Sequence, residues 1–393
     1  MVQVHSEMES SARIRVIGIG GSGKNAINHM VASKVKGVDF IVINTDAQDL
    51  QQSAAKAKIH IGKNLTRGLG AGMNPAVGKR AAEETQSEIQ DTLRGSDMVF
   101  IAGGMGGGTC TGAAPIVAKI AKETGALTVA VVTKPFSFEG QQRMRLAEQG
   151  LDELRKEVDA LIVIPNDRLL AVVDQNTTVR SAFALCDEVL RQAVEGVSDL
   201  ITTPGNINLD FADIKSIMED AGSALMGVGI AQGDKRAEEA ARLAINSPLL
   251  DISINGAKGV LLSIAGGEDL GLLEVQAAAQ IVTESIDKNA KVIFGTSKDE
   301  RLKKGEVRVT VIATGFPEEA PSVHGQPLFQ IGAKKEKKEE EQAGKIYNTV
   351  MPSRVDDEEI VPPVRRDMPA PKPAEEDDEW AAVPAFLRRN RKN

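Results

Sequence analysis

The 393-residue sequence is poor in the residues that mark secreted, metal-binding and membrane proteins. Its two cysteines, Cys110 and Cys186, are too few for a disulfide framework and favour free thiols in a reducing compartment. The four histidines show no metal-ligand spacing. The N-terminus lacks the regions of a signal peptide, and no apolar run approaches the roughly 20 residues that span a bilayer. These absences predict a cytoplasmic protein without membrane insertion.

The sequence also has fewer basic residues than acidic ones, 47 against 55. The formal net charge of −8 argues against a nucleic-acid partner, because phosphate contacts need a basic face. The length predicts two domains plus a tail. Residues 317–379 are rich in proline and in charged runs, which predicts a disordered linker. The first 12 residues are also expected to be disordered.

Glycine, in contrast, is abundant in two turns. The stretch Gly103–Gly112 reads GGMGGGTCTG, follows the apolar run Asp97–Ala102, and precedes apolar residues at helical spacing. This pattern predicts a buried strand, a glycine turn and a helix. Backbone N–H groups at a helix N-terminus lack intrahelical partners and attract anions, so the turn predicts a phosphate cradle. An ordinary glycine-rich surface loop remains the alternative.

An earlier glycine turn follows the predicted strand Arg13–Gly18 and reads GIGGSGKN. Its glycines fit a dinucleotide-binding fingerprint, with Asp46 near the place of the ribose-binding acid. The same turn nearly completes a P-loop with Lys24, but Asn25 stands where that motif has its Mg²⁺-binding Ser or Thr. What the two templates share is a first βα turn that binds a phosphate or a nucleotide.

Apolar runs and helical periodicity outline the rest of the fold. From Gly222 onward, strands alternate with two helices and predict a second α/β domain without a phosphate turn. In the first domain, further elements are predicted as strands at Val38–Asn44, Ile59–Gly62, Ala126–Phe136 and Asp159–Asp167 and as a long amphipathic helix at Thr178–Ile201.

The motifs, taken in order, resemble those of the tubulin/FtsZ superfamily and of its FtsZ family in particular. They read GGSGKN, GGMGGGTCTG, PFSFEGQQR, NLDFAD and, at the end of the chain, VPAFLRR. The resemblance covers residues 13–316 and the last dozen residues. It departs from the family at Cys110, where a glycine is usual.

This resemblance implies an α/β fold with a Rossmann-like N-terminal GTPase domain around a central parallel sheet, a long connecting helix, a second α/β C-terminal domain and a disordered tail. The implied boundaries are 13–177 for the GTPase domain, 178–203 for the helix, 204–316 for the C-terminal domain, 317–379 for the linker and 380–393 for a docking peptide.

The resemblance also implies a GTP site. Glu139 and Arg143 would contact the ribose and phosphates, although a surface ion pair is the alternative. Asp187 would accept the two guanine donors while Phe183 stacks on the base. Gly72 lies in a loop that would sense the γ-phosphate. The remaining nucleotide-binding residues implied are Gly21, Ser22, Gly23, Lys24, Asn25, Gly106, Gly107, Gly108, Thr109, Cys110, Thr111, Gly112 and Asn166.

An acidic loop carries the implied catalytic residues Asn208, Asp210 and Asp213. From the residues alone, an Asp at this point usually caps a helix. By resemblance the loop reaches the nucleotide of the next subunit and its acids polarise water. Mg²⁺ is expected to bind mainly through GTP phosphates and water, without a protein metal site. Hydrolysis would then need head-to-tail contact, which makes a homopolymer.

The C-terminal peptide combines apolar and basic residues after the acidic linker, which is typical of a segment that orders on binding. An unremarkable basic terminus is the alternative. By resemblance, Pro384, Phe386, Leu387 and Arg388 would dock membrane-tethering division proteins.

Together with these features, the resemblance implies a polymerising GTPase of the bacterial cytokinetic ring. Two alternatives stay open at this point. One is a GTP-binding filament scaffold with little hydrolysis, because a Cys110 side chain could strain the turn or crowd the phosphates. The other is a dinucleotide-dependent oxidoreductase, based on the first glycine turn and Asp46. A Cys110 thiol at a helix N-terminus is also expected to be acidic and reactive, so that its alkylation abolishes nucleotide binding.

Overall fold

The computed structural model describes residues 12–170, 177–202, 207, 209–247, 253–299 and 302–316. Within them, ten strands form one sheet in the order β3-β2-β1-β4-β5-β6-β7-β10-β8-β9. The N-terminal elements are β1 (Ile14–Ile19), α1 (Gly20–Ala32), β2 (Val38–Asn44), α2 (Ala47–Gln51), β3 (Ala57–His60), α3 (Lys63–Thr66), α4 (Pro75–Glu84), α5 (Gln86–Leu93), β4 (Met98–Gly104), α6 (Thr109–Glu123), β5 (Leu127–Lys134), α7 (Gln141–Leu154), β6 (Ala160–Pro165) and α8 (Asn166–Leu169).

The C-terminal elements follow a long helix. They are α9 (Val179–Thr202), α10 (Phe211–Met218), β7 (Gly222–Gln232), α11 (Arg236–Ile245), β8 (Gly259–Gly266), α12 (Leu272–Glu284), β9 (Lys291–Lys298) and β10 (Glu306–Thr314). No described helix is both long and apolar enough to cross a bilayer.

The first six strands are all parallel, as their unbroken apolar runs predict. Helices cover both faces of this sheet. On one face, α1 and α9 contribute to a core that includes Ile27, Phe100 and Val194. On the other, α4 to α7 pack in a second core with Ile101 and Val117. The α/β fold is therefore confirmed for the N-terminal part.

The C-terminal strands form the mixed part of the sheet. β10 is antiparallel to both β7 and β8, whereas β8 and β9 are parallel. Helices α11 and α12 cover these strands with a third core that contains Val260, Val309 and Ala240. This arrangement agrees with the predicted second α/β domain.

The two parts of the sheet meet at a short seam. β6 and β7 pair in parallel over three residue pairs only, from Ala160–Gly222 to Ile162–Ala224. The long helix α9 precedes this crossing and buries its apolar side in the first core.

Most predicted elements are present within one or two residues of their predicted ends. The third strand, for example, begins at Ala57 and ends at His60, two residues earlier at each end than predicted. Gly62 adopts φ 64° and starts the turn into α3, and a Cβ there would collide with Ala81 of α4. The first 11 residues, the predicted linker and the predicted docking peptide lie outside the described residues.

Candidate functional site

A cleft lies at the carboxyl ends of four adjacent parallel strands, β1, β4, β5 and β6, with α9 on one side. In open parallel sheets this edge is where ligands bind. Its volume of about 310 Å³ is within the range of small-molecule sites. It is lined by Ile19, Gly20, Gly21, Ser22, Asn25, Gly104, Met105, Gly107, Gly108, Thr109, Cys110, Thr133, Pro135, Glu139, Arg143, Asn166, Phe183, Cys186, Asp187 and Leu190.

The first glycine turn supplies one wall of the cleft. Gly20 has φ 72°, which favours glycine, and it packs near the backbone of Cys110 in the second turn. Gly23 does not line the cleft. A Cβ on it would lie 2.7 Å from the Ala102 carbonyl oxygen, so this glycine allows α1 to pack closely on β4.

Lys24 is buried and forms an ion pair with Asp49, whose other oxygen accepts a hydrogen bond from Asn44. The lysine is therefore held beneath the turn, and the structure does not bring it into the cleft. Asp46 caps α2 by accepting hydrogen bonds from the backbone N–H groups of Gln48 and Asp49. One oxygen of this carboxylate is thus engaged in capping, and Asp46 does not line the cleft.

The second glycine turn joins β4 to α6 and forms the base of the cleft. Gly106 has φ 96°, and its N–H donates a 2.8 Å hydrogen bond to the Thr111 hydroxyl. The Thr109 hydroxyl is 2.7 Å from that of Thr45. Gly112 faces α4, and a Cβ there would collide with the Pro75 carbonyl. Gly106, Thr111 and Gly112 thus shape the turn, while Gly107 to Cys110 line the cleft.

Gly72 also lies outside the cleft lining. It has φ 55° in the loop between α3 and α4 and meets no atom within 4 Å of an added Cβ. The loop is tied to the second glycine turn, since a Cβ on Gly108 would lie 2.8 Å from Ala71. Its γ-phosphate role stays a prediction.

The predicted strain at Cys110 is not supported by its geometry. The residue is the second of α6 and has no positive φ, so the turn carries no strain from its Cβ. Its Sγ lies 3.9 Å from the Met105 sulfur and belongs to the second core. The expectation of an acidic thiol is wrong, because burial raises the pKa of Cys110 to about 12.

We therefore predict that Cys110 resists alkylation in the native protein. At pH 7.5, iodoacetamide should label it at least about 100-fold more slowly than in the urea-unfolded chain, because labelling requires the thiolate. Mass spectrometry of peptides gives the two rates. Cys186 is a matched control, since burial also raises its pKa to about 12. Fast native labelling of Cys110 alone would contradict the buried orientation.

Glu139 and Arg143 form the ion pair predicted from their spacing, at 2.5 Å, and both line the cleft. A second Glu139 oxygen accepts a 3.0 Å hydrogen bond from the Phe136 N–H. The carboxylate is consequently fixed, and it orients the guanidinium at the cleft wall. The pair therefore lies at the cleft and not elsewhere on the surface. The two side chains bind each other, so neither is an unengaged ligand-binding group.

Helix α9 presents an aromatic ring and a carboxylate to the cleft. Phe183 is 40% exposed and meets Phe136 edge to face at 5.4 Å. Burial raises the pKa of Asp187 to about 6, although the charges of His29 and Lys24 act in the opposite direction. An exposed ring beside a carboxylate acceptor is suited to a planar base with adjacent donors.

Asn166, at the start of α8, is suited to accept a hydrogen bond from a polar ligand. The residue is 4% exposed, and its Oδ1 has no hydrogen-bond partner within the described residues. Leaving a buried acceptor unpaired costs about 1–3 kcal/mol. Since Asn166 also lines the cleft, a ligand with a donor group would satisfy it.

The acidic residues lie apart from the cleft. Asp210 is exposed and caps α10 through a 2.9 Å hydrogen bond from the Asp213 N–H. Neither residue lines the cleft. Asn208 lies outside the described residues. Capping, the simpler interpretation of Asp210, is therefore present, and it uses one of the two carboxylate oxygens of Asp210.

Sequence reasoning missed several cleft residues. Thr133 lies at the carboxyl end of β5 and Pro135 directly follows this strand, so the rule that parallel strands share a carboxyl edge would have found them. Cys186 and Leu190 lie one turn from Phe183 and Asp187 on α9, and helical spacing was the available signal. No group of three or more His, Cys, Asp or Glu that could hold a metal occurs among the described residues.

Another side of α9 carries a chain of charges. His29 of α1 is 2.8 Å from Glu188, which binds Arg191 through two hydrogen bonds. Arg191 also pairs with Glu195. Burial would raise the pKa of Glu188, but hydrogen bonds from Arg191 and His29 lower it to about 2.

This chain of charges continues into the C-terminal part through β10. The Arg308 guanidinium is 3.7 Å from Glu195 and 2.9 Å from Asp299. The network therefore connects the helix beside the cleft with the second part of the sheet.

Comparison with known proteins agrees with this geometry. Residues 13–174 match the model of the Tubulin/FtsZ family GTPase domain, and residues 222–317 match that of the FtsZ family C-terminal domain. An empty FtsZ dimer from M. jannaschii is 48% identical, with a TM-score of 0.76 over 78% of this chain and 89% of the other.

More distant structures share the fold. CetZ2 from Haloferax volcanii, a GTPgS-bound protofilament, is 22% identical with a TM-score of 0.67, covering 78% of this chain and 94% of its own. CetZ1 from the same organism, a GDP-bound monomer, is 21% identical with a TM-score of 0.69, covering 78% and 95%.

The cleft, its two glycine turns and the fold thus define a tubulin-like GTPase. The chain belongs to the FtsZ family.

Proposed function

We propose that this chain binds GTP in the cleft, polymerises head to tail and hydrolyses GTP at a site completed by the next subunit. One observation carries the proposal. The residues suited to nucleotide binding converge on one cleft, whereas Asp210 and Asp213 do not line it. The acids can act on GTP only if another copy brings them to the cleft. Repeating that contact without closure makes a filament.

The chemistry of the cleft fits a nucleoside triphosphate. The turn Gly107–Thr109 offers helix N-terminal N–H groups to phosphate oxygens. Arg143 supplies a cation held by Glu139, and Asn166 supplies an unpaired acceptor for a ligand donor. Asp187 accepts N1–H and N2–H₂ of guanine together, which an adenine does not offer. Gly23 and Lys24 do not line the cleft, so we do not expect them to contact GTP directly.

Catalysis follows from positioning. The cradle holds the phosphates, and the Asp210 and Asp213 carboxylates of the adjacent copy orient the attacking water. Bound Mg²⁺ would neutralise phosphate charge, held by the phosphates and water. Asp210 also keeps its capping bond to the Asp213 N–H, so the two carboxylates are oriented by one helix end.

The family relationship supports the cellular role. We propose that the filament forms the cytokinetic ring of bacterial division in the cytoplasm, and that the C-terminal peptide binds membrane-tethering division proteins. The FtsZ dimer and the CetZ2 protofilament show that relatives self-associate.

Sedimentation with nucleotides tests the proposal. With Mg²⁺, we expect GTP to produce pellets, and GDP and ATP to leave the protein in solution. Equilibrium binding should favour GTP over ATP, because Asp187 repels the adenine N1 acceptor. Pellets with GTP but no phosphate release would indicate a scaffold. Equal binding of ATP and GTP would contradict the role of Asp187.

GTP affinity should depend on pH through Asp187. Because its pKa is raised to about 6, the carboxylate becomes neutral as pH falls below that value and loses one acceptor for guanine. Between pH 8 and 5, we expect affinity to fall about 10-fold, because only about a tenth of a group with this pKa is still ionised at pH 5. An Asp187→Asn variant should bind more weakly with a flatter profile. Titration of the GTP phosphates affects both proteins equally. Identical pH profiles for the unaltered protein and the variant would therefore contradict this role of Asp187.

A further inference from the structure

Lys122 forms an ionic clamp with Asp159 and Asp220 where the two parts of the sheet meet. Its Nζ is 2.9 Å from Asp159 Oδ1 and 2.9 Å from Asp220 Oδ1. Hydrogen bonds from Lys122 to Asp220 and to Asp159 raise the pKa of the lysine, and the Lys122 bond lowers the pKa of Asp220. Lys122 and Asp220 are therefore both charged at neutral pH.

The first side of the clamp is anchored. Lys122 lies in the last turn of α6, whose first turn is the phosphate cradle. Asp159 is buried just before β6, and its Oδ2 accepts a 2.8 Å hydrogen bond from the Thr128 N–H. Its backbone carbonyl accepts from the Gly222 N–H across the seam. These bonds fix Lys122 and Asp159 to the parallel sheet.

The second side is held less firmly. Asp220 is 78% exposed and lies two residues after α10, the helix that begins with Asp210 and Asp213. Its φ of 50° is left-handed, a conformation that costs a non-glycine residue about 1 kcal/mol. Its carboxylate accepts a 2.9 Å hydrogen bond from the Lys122 ammonium, which holds it at the seam.

We propose that Lys122 is a positioning residue that sets the orientation of α10 and thereby of the catalytic acids. Helices α6 and α10 carry the two halves of the proposed reaction at their N-terminal ends, and the clamp joins them at their C-terminal ends. This inference rests on the proposed function. Within each chain, the clamp orients the acids relative to the cradle helix α6 of the same chain, before those acids reach the cleft of the next subunit.

Turnover and binding should respond differently to loss of the clamp. In Asp220→Gly, the carboxylate is removed and the left-handed turn is made easier, so folding should be preserved. Asp159 keeps Lys122 in this variant. We expect GTP affinity within about 2-fold of the unaltered protein but turnover lowered about 10-fold, since small displacements of reacting groups have effects of that size. Lys122→Arg should retain turnover, and Lys122→Met should lose it.

Mixtures of two variants distinguish a positioning role of the clamp from a general loss of activity. In a mixture with Asp210→Asn, the clamp variant must supply the acids, and turnover should stay low. In a mixture with Gly107→Asp, whose cradle is blocked, the clamp variant supplies every working cradle and Gly107→Asp supplies unimpaired acids. Turnover should then be about half that of the unaltered protein mixed with Gly107→Asp, because contacts that use the acids of the clamp variant itself stay slow. Lys119→Met, an exposed lysine on the same helix, is the control and should behave normally.

The outcomes are distinguishable from failure of the proposed function. If the unaltered protein releases no phosphate from GTP at any concentration, the proposed function itself is wrong. If it does, and Asp220→Gly turns over normally, or fails equally as acid donor and cradle donor, the positioning role of Lys122 is overturned.

Discussion

A mixture of Gly107→Asp and Asp210→Asn should hydrolyse GTP although each variant alone is inactive. Gly107→Asp places a carboxylate in the phosphate cradle and leaves the acids intact. Asp210→Asn leaves the cradle intact and removes an acid. In an equimolar mixture, about a quarter of randomly formed head-to-tail contacts join the intact cradle to the intact acids. Phosphate release per chain in the mixture should approach a quarter of that of the unaltered protein.

The structure makes both variants interpretable. A Cβ on Gly107 meets nothing within 4 Å, and its φ is not positive, so the fold accommodates Gly107→Asp and the new side chain obstructs the cleft alone. Asn is a good N-cap, so Asp210→Asn preserves the start of α10, whereas alanine would cost about 1 kcal/mol of capping energy. We expect Asp210→Asn alone to lose about 100-fold or more in turnover. Absence of recovery in the mixture, with both variants still able to copolymerise, would contradict a shared site.

Replacing Arg308 by Met should destabilise the protein by about 3–5 kcal/mol, because removal of one partner leaves buried charges uncompensated. Arg308 is 10% exposed and faces Glu195, Asp199 and Asp299. For a chain of this size the midpoint of thermal unfolding should fall by roughly 10 °C. Circular dichroism is the suitable signal, because Trp380 lies outside the described residues.

An exposed ion pair of the same type provides the control. Lys303 is 84% exposed and lies 3.9 Å from Glu306. Lys303→Met should change stability by less than about 1 kcal/mol, as is usual for surface pairs. If both variants shift the unfolding midpoint equally, the network along α9 does not stabilise the join between the two parts of the sheet in the way that its burial indicates.

Local pattern was sufficient for much of the fold. The parallel strands appear as unbroken apolar runs, and glycine turns directly follow two of them, so the carboxyl edge of the sheet was predictable as the site. The ion pair of Glu139 and Arg143 also follows from helical spacing. Each of these features depends on neighbours within a few residues.

The remaining details depend on contacts between distant segments. Lys24 fits a phosphate-binding motif, yet Asp49 of the next helix holds it beneath the turn. Cys110 looks reactive at a helix N-terminus, but Met105 and the core surround its sulfur. The clamp of Lys122 joins residues 98 positions apart. Sequence spacing carries no signal for such pairs, because they meet only after the sheet has formed.

The decisive measurement is the rate of phosphate release from GTP over a range of protein concentrations, with Mg²⁺ and with sedimentation in parallel. The account predicts that specific activity stays near zero below a threshold concentration and rises above it together with the pelleted fraction, because cleft and acids then meet. Phosphate release strictly proportional to protein concentration, without polymer, would show that one chain contains the complete site and would contradict the shared-site mechanism.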